Sequence, residues 1–315
     1  MASRLIAGCG YVGKRVAQQW LAAGDTVFAF TRSPAKSLEL ETMGIKPILW
    51  DWLGDLPPQR SEPWELLSKT VHSGALSTIL VAVSHAAVAG LPPEQTHVLG
   101  LSKLWEMLRD LEPRGEMIRA IRWIYLSTTG VFGCTAPGEW VDEQSGVDPQ
   151  RSGSIAAWEG EKWIQNALAP GAGVSLRPAG IYGPGRIPNW QSIRDQVPMQ
   201  ADPSSYLNLI HVDDLASIVF RVAALDGMAP LYCVSDTCPV QRGDYYRLIA
   251  DLGGWPEPVY VDNAMRAAGV SMARSDGNKR IRSQKIQRDL SYAFRYPTYR
   301  EGLSELLAGV VGRTE

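Results

Sequence analysis

The sequence predicts an α/β protein: a doubly wound parallel sheet joined to a small C-terminal α/β domain. Three observations carry this. Short strand-like runs such as "RLIAG", "TVFAF" and "STILVAV" are apolar from end to end, where a half-exposed strand would alternate. Helical patterns separate them, which suits parallel strands covered on both faces by right-handed crossovers. Gly8, Gly10 and Gly13 stand in G-x-G-x-x-G spacing between the first such run and the first helical pattern. With 315 residues, 45% of them hydrophobic and 20% charged, the chain is long enough for two packed units of ordinary composition.

Taken in order, "RLIAG" reads as a buried strand. "GKRVAQQWLAAG" reads as a helix, with Val16, Trp20 and Leu21 near helical spacing and Gly24 as its stop. "TVFAFTR" and "KPILWD" are the second and third strands, with "AKSLELETMG" between them, and "STILVAVS" is the fourth. Leu101, Leu104, Trp105 and Leu108 recur at i, i+3, i+4 and i+7, so "LSKLWEML" is a helix. "RWIYLST" is the fifth strand, "SIAAWEGEKWIQNAL" a helix and "GVSLRP" the sixth strand. Beyond Arg177 the texture changes, with Pro and Gly dense from Pro178 to Pro203. "DDLASIVFRVAAL" predicts a helix capped by Asp213 or Asp214. "PLYCVS" predicts a strand, "RGDYYRLIADLGG" a helix, and "GNKRIRSQKIQRDLSY" a short strand and then a helix capped near Ser283. The Pro-rich stretches 57–63 and 91–93 read as surface loops. The expected division is a first domain over 1–180, to which 205–226 return, and a second over 181–204 and 227–315.

A net charge of −2 gives no electrostatic case for nucleic acid or an anionic membrane. No apolar run reaches the roughly 18–20 residues of a membrane span, and "MASRLIAG" lacks the layout of a signal peptide. Four cysteines without Cys-x-x-Cys spacing argue against a disulfide framework or a zinc site, and the four histidines form no ligand-like spacing. The expectation is a cytoplasmic protein without a metal.

The glycine loop has a physical reading. Gly8 permits a tight strand-to-helix turn, Gly10 lets the backbone approach a pyrophosphate, and Gly13 lets the helix pack on the strand. The helix that follows aims free N–H groups and a positive dipole end at the phosphates. A dinucleotide is therefore expected here. An NAD site usually ends its second strand with Asp or Glu to accept the ribose 2′-OH. "FAFTRSPAK" has neither, and offers Thr31, Arg32, Ser33 and Lys36, which suit a 2′-phosphate. NADP is expected in preference to NAD. Asp51 is read either as an acceptor for the adenine amino group or as a helix cap.

The stretches "GCGYVG", "YLSTTGVFG", "LRPAGIYGPGR", "NLIHVDDLA" and "LYCVSDTCPVQRGDYYRLIADLGG" resemble, in order and over nearly the whole chain, the extended short-chain dehydrogenase/reductases of the NAD-dependent epimerase/dehydratase superfamily. "GNKRI" followed by "YPTYREGL" is similar to its atypical branch. The resemblance implies a Rossmann domain, a small substrate domain and a homodimer. It places Cys9, Tyr11 and Val12 in the cofactor loop, with Trp52, Ala82, Val83, Ser127 and Pro178 also against the cofactor. It puts Thr128 on the reacting oxygen and Thr129 beside the substrate.

The resemblance also implies a Tyr-x-x-x-Lys pair on the helix after the fifth strand, the Tyr moving the proton. This sequence lacks it. The slots fall on Gly153 and Ala157, or in a second register on Arg151 and Ile155, and no tyrosine lies between Tyr125 and Tyr182. Gly and Ile cannot move a proton, and Arg stays protonated. Two replacements come forward, Tyr182 in "GIYGPGR" and His211 in "LIHVDD". Each is read either as a proton donor or as a packed residue at a domain boundary. Arg186 is read as a partner for a substrate anion or as a solvated loop residue. Glu159 and Glu161 are placed on a solvated helix face, Cys9 in packing and Cys134 beside the cleft rim. Three functions stay open. They are an NADP-dependent oxidoreductase on a small carbonyl or hydroxyl compound with a non-standard proton donor, a catalytically silent NADP-binding sensor or interaction module, and a nucleotide-sugar epimerase or dehydratase.

Overall fold

In the computed structural model, which describes residues 1–54, 61–86, 88–261 and 278–311, the apolar runs pair into one seven-stranded parallel sheet. Its strands are β1 (Ser3–Ala7), β2 (Thr26–Thr31), β3 (Lys46–Leu49), β4 (Leu76–Val81), β5 (Arg122–Leu126), β7 (Gly173–Pro178) and β11 (Leu231–Val234), in the spatial order β11-β7-β5-β4-β1-β2-β3. A short strand β6 (Glu139–Val141) and the strands β8 (Gly180–Tyr182), β9 (Tyr206–Leu207) and β10 (Leu209–His211) intervene in the chain. The order reverses at β1, which pairs with β2 on one side and β4 on the other. In such sheets the crevice at the carboxyl ends of the two strands flanking the reversal is where ligands bind.

The helices of this first unit are α1 (Tyr11–Ala22), α2 (Pro34–Thr42), α3 (Glu62–His72), α4 (Pro93–Leu111), the short α5 (Glu116–Arg119), α6 (Ser152–Ala167) and, in part, α8 (Val212–Val222), with α7 (Trp190–Arg194) falling elsewhere. Of the two Pro-rich stretches read as loops, 57–60 lie outside the described residues, and the rest contribute helix starts. Pro63 sits in the first turn of α3 and Pro93 opens α4, where a missing N–H costs nothing. The tryptophans have packing roles. Trp105, Trp123 and Trp163 lie with ring centroids 6.0–6.5 Å apart, and Phe30 meets Trp50 edge-on at 4.6 Å. Gly160 lets α6 close on β5, because a Cβ there would lie 2.4 Å from the Tyr125 hydroxyl.

One charged pair is sealed into this core. Glu161 on α6 and Arg177 on β7 are both at most 2% exposed. The guanidinium grips the carboxylate with two nitrogens, Nε to Oε1 at 2.9 Å and Nη2 to Oε2 at 2.7 Å. The Ser127 hydroxyl donates to the same carboxylate. Glu161 therefore does not lie on a solvated face as its sequence position suggested. Glu159 does sit on the more open side, paired with Lys162 at 2.6 Å.

The second unit gathers Phe132–Asp148, Pro178–Asp214 and the described residues from Cys233 on. The observed division departs from the expected one. Residues 132–148, 178–180 and 205–214 belong to the second unit, and 227–232 to the first. Its strands pair in twos: β8 with β10, β6 with β13 (Lys279–Ile281), and β9 with β12 (Val240–Gln241). Its core joins Tyr182, Leu209, Tyr245, Tyr246, Tyr299 and Leu303, the last two from the helix Tyr299–Val311 and the middle pair from α9 (Arg242–Gly253). Neither Asp213 nor Asp214 caps α8. The helix starts at Val212, and the His211 ring accepts the Asp213 N–H at 3.3 Å through Nδ1. Asp214 instead clasps the chain near 295, accepting from the Tyr292 hydroxyl (2.6 Å) and the backbone N–H groups of Arg295 and Tyr296 (2.8 and 2.9 Å).

Two outcomes follow from the buried charges. Glu161→Gln leaves the Arg177 charge in the core without its counter-ion and should cost about 3–5 kcal/mol, read by denaturant unfolding. Asp236, 1% exposed, accepts the Cys238 N–H on one oxygen while the other has no partner among the described residues. Burial pushes its carboxyl well above the usual range, with the charges of Glu301 and Asp214 adding to the shift. A raised folded pKa stabilises fully below the unfolded value of about 4 and is lost as pH rises through the folded value. The melting temperature of Asp236→Asn relative to the parent should therefore climb between pH 5 and pH 8.

Candidate functional site

The glycine loop leaves β1 at Gly8 and enters α1 at Tyr11. Its three glycines answer to different constraints. Gly8 has φ +89° and lies so close to the end of β4 that a Cβ would stand 2.7 Å from the Ala82 and Val83 backbone. A Cβ on Gly13 would stand 2.8 Å from the Gly8 carbonyl oxygen. Gly10 has nothing within 4 Å of where its Cβ would be. The protein itself explains the first two glycines, and the third opens onto space. Helix α1 begins there with no side-chain cap and no acidic residue in its first turn, the arrangement that receives a phosphate. The loop thus fits a dinucleotide pyrophosphate. Cys9 is buried, and burial pushes its thiol up to about 12, so it packs and is not a thiolate at neutral pH. Tyr11 stacks under the Arg15 guanidinium at 4.4 Å.

A cleft of about 230 Å³ opens over this loop. It brings together Gly8, Cys9 and Gly10, then Thr31, Arg32 and Lys36 from the end of β2 and the start of α2, and Trp52, Ala82 and Val83. Tyr11, Val12, Gly13, Ser33, Asp51, Ser127 and Pro178 do not line it. Ser33 caps α2, its hydroxyl accepting the Lys36 N–H at 3.4 Å. Asp51 is not a helix cap. It accepts the Leu53 N–H at 3.1 Å and faces Arg32 at 3.6 Å, a pair in which the Arg32 side chain remains 68% exposed. The Ser127 proton is committed to Glu161, and Pro178 closes β7 in the second unit. The cleft also takes in His97 and Thr96 from α4 and Ser84 and Ala86 after β4. The sequence carried no signal for these four, because α4 was recognised only from Leu101 on.

The carboxyl ends of β4 and β5 meet the start of α6 beside this cleft. Thr128 accepts the Gly130 N–H at 3.0 Å. A Cβ on Gly130 would fall 2.6 Å from the Ser154 hydroxyl and 3.3 Å from that of Thr128. Thr129 opens the 3₁₀ turn Thr129–Phe132. Gly153, one of the two positions expected for the missing tyrosine, lies beside His85, whose Cβ would stand 3.6 Å from a Cβ built there. His97 donates or accepts at the Tyr125 hydroxyl at 2.6 Å. Burial, with the charge of His85 adding, lowers its pKa to about 4.

Two residues read as proton donors belong to the second unit. Tyr182 is fully buried in the core of the second unit, its hydroxyl at 3.5 Å from the Thr298 carbonyl and crowded against Gly302. Burial raises its pKa further, so it packs and does not donate. His211 is 1% exposed, caps α8 and stacks on Tyr296 at 3.8 Å. Arg186 closes a tight turn, exchanging two backbone hydrogen bonds with Gly183, and Cys134 is exposed in the same unit. Among the described residues no group of three or more His, Cys, Asp or Glu is placed to hold a metal ion, and no helix is long and apolar enough to cross a membrane.

Comparison with known proteins bears on this geometry. The model of the family described as NAD dependent epimerase/dehydratase matches residues 5–229. A 4-hydroxy-2-methyl-3-oxo-4-farnesyl-3,4-dihydroquinoline-1-oxide ketoreductase of Stigmatella aurantiaca is 23% identical, over 99% of this chain and 98% of the relative. A functionally unknown conserved protein of Silicibacter pomeroyi superposes with a TM-score of 0.75 at 27% identity, covering 98% of this chain and 99% of that one. A dTDP-glucose 4,6-dehydratase of Bacillus anthracis, solved with NAD, gives 0.73 at 16% identity, covering 100% and 98%, a likeness of fold.

The glycines separate stability from binding. Gly8→Ala forces a side chain into a positive φ and against β4, and should cost about 2–5 kcal/mol. Gly10→Ala should leave the melting temperature of the free protein unchanged and weaken dinucleotide binding, read by titration of the cofactor's fluorescence.

Proposed function

The chain belongs to the NAD dependent epimerase/dehydratase family, and from that premise we propose that it is an NADP-dependent reductase of a small carbonyl compound, running in reverse on the corresponding alcohol. The observation that carries the reading is the end of β2. Thr31, Arg32 and Lys36 line the cleft there, α2 presents its N-terminus behind the Ser33 cap, and no carboxylate occurs in "FTRSPAK". Donors and positive charge on a planar fork suit a 2′-phosphate. Asp51 faces the Arg32 charge through one nitrogen at 3.6 Å, and the Arg32 side chain stays largely exposed. Bound NADPH supplies a hydride to a carbonyl carbon and is left as NADP⁺. The ketoreductase relative supports the direction of the chemistry.

The same family premise supports a second reading, a catalytically silent NADP-binding module, because neither register of the Tyr-Lys pair, Gly153 with Ala157 or Arg151 with Ile155, holds a residue that moves a proton. General acid help typically contributes about 10²–10⁴-fold, and the reductase reading needs a group that supplies it. None of the four cysteines is joined in a disulfide, which supports a reducing compartment such as the cytoplasm.

Thermal shift with NADPH, NADP⁺, NADH and NAD⁺ in separate samples tests the cofactor. Ligand at 100 times its dissociation constant adds about 2.7 kcal/mol, and the phosphorylated pair should do so at the lower concentration. Arg32→Ala should weaken NADPH by roughly 10–150-fold, the worth of a charge-assisted hydrogen bond, and leave NADH nearly unchanged. Equal binding of NADH and NADPH, or turnover of no member of a carbonyl panel with NADPH, would remove the NADP preference or the reductase reading respectively.

A further inference from the structure

Resting on the reductase reading, we infer that His85 is the proton donor and acceptor of the reaction, standing in the space that the bare Gly153 leaves open. His85 lies on the segment after β4, between Ser84 and Ala86, which both line the cleft, while its own side chain lies outside that lining, next to Gly153 of α6. Gly8 and Arg32 mark the pyrophosphate and adenosine side of that cleft, towards β1 and β2. A dinucleotide held there would run across the reversal of strand order, with its reacting end past β4 towards β5. The described side chains of the first unit at that end are few. Tyr125 is fully buried, its hydroxyl donates to the Ala157 carbonyl, and burial holds its proton tightly. The Ser127 proton goes to Glu161. Thr128 and Ser154 are hydroxyls too weak as acids to yield a proton unaided. His97 is buried and uncharged at neutral pH. His85, half-buried, is left, and imidazole is the side chain that gives and takes protons near neutrality.

The surroundings of His85 prepare it for this. Thr96 Oγ1 donates its own proton to the Pro93 carbonyl at 2.9 Å. At the 3.3 Å contact with His85 Nδ1 it can therefore only accept. The network thus assigns a hydrogen to Nδ1 and leaves Nε2 as the nitrogen that gains or loses a proton. The neighbouring His97 ring, 6.2 Å away between centroids, stays neutral and does not oppose a charge on His85. A Cβ built on Gly153 would make ordinary van der Waals contact with His85, 3.6 Å from its Cβ and 3.7 Å from Cδ2. A large side chain at 153 would claim this place. In the reducing direction the carbonyl π bond breaks as its carbon takes the hydride, and its oxygen takes the Nε2 proton. The imidazolium becomes imidazole, and water returns the proton. Thr96 is a positioning residue in this scheme.

Two measurements test it. The first reads the free and cofactor-loaded protein without turnover. Diethyl pyrocarbonate should label His85 and the exposed His72 at the end of α3, and saturating NADP⁺ should protect His85 at least tenfold while His72 is labelled as before. Labelling of His85 that NADP⁺ does not change overturns the assignment. The second reads reduction of a panel of aldehydes, ketones and quinones by NADPH. His85→Ala and His85→Asn should keep the melting temperature and NADPH affinity of the parent and lose about 10²–10⁴-fold in kcat, and added imidazole should restore part of the rate to His85→Ala alone. Unchanged kcat in either variant overturns the role of His85 and leaves the reductase reading standing. A parent protein that binds NADPH but reduces no panel member overturns both.

Discussion

Backbone pressed against backbone at the ends of β1 and β4 is the constraint on which the site depends. The Ala82 N–H donates to the Ala7 carbonyl at 2.8 Å, and one residue later Gly8 turns away with no room for a Cβ. This contact fixes three things at once: the direction in which the loop leaves the sheet, the start of α1, and the proximity of the segment after β4 to the loop. A wider spacing of the two strands would separate the phosphate-facing loop from Ala82, Val83 and everything that follows them. The reversal of strand order at β1 supplies the crevice, and the glycine supplies its depth.

The other side of the crevice is organised by charge. Glu161 gathers β7 through Arg177 and the loop after β5 through Ser127. Such a pair gains little net energy over an apolar substitute, since desolvation offsets most of the attraction. Its effect is geometric. With the carboxylate satisfied from two elements, the start of the loop bearing Thr128 and Thr129 is held against α6, and α6 is held with Gly153 towards His85. The rim is thus set by a residue that never reaches the cleft.

The sheet was legible because its strands are apolar throughout and its glycine spacing requires a particular turn. Helix caps and partners were less so. Glu161 looks solvated beside Glu159 and Lys162, and its burial depends on Arg177, 16 residues away, and on Ser127, 34 residues away. Asp213 and Asp214 look like caps, yet the ring of His211 does that work and frees Asp214 to hold the chain at Arg295 and Tyr296. Tyr182 follows a strand, as a site residue would, but its hydroxyl turns into a core closed by Gly302, 120 positions on. His85 carried no motif at all. Its meaning comes from a side chain that is missing at 153, and an absence at one position says nothing in sequence about which group across the gap has taken the space.

The contrast between Gly8 and Gly10 has an evolutionary consequence. The protein's own backbone constrains the first glycine and leaves the second untouched, so selection can act on one without touching the other. A descendant of this chain can lose its nucleotide by filling the space over Gly10 and still express as a folded protein. It can equally exchange its proton chemistry at the α6 rim while the loop stays intact. Lineages built on this loop therefore have a folded route from enzyme to carrier to bare scaffold, with no unfolded intermediate to cross, which is one way that a family can accumulate members whose chemistry has drifted from its founders'.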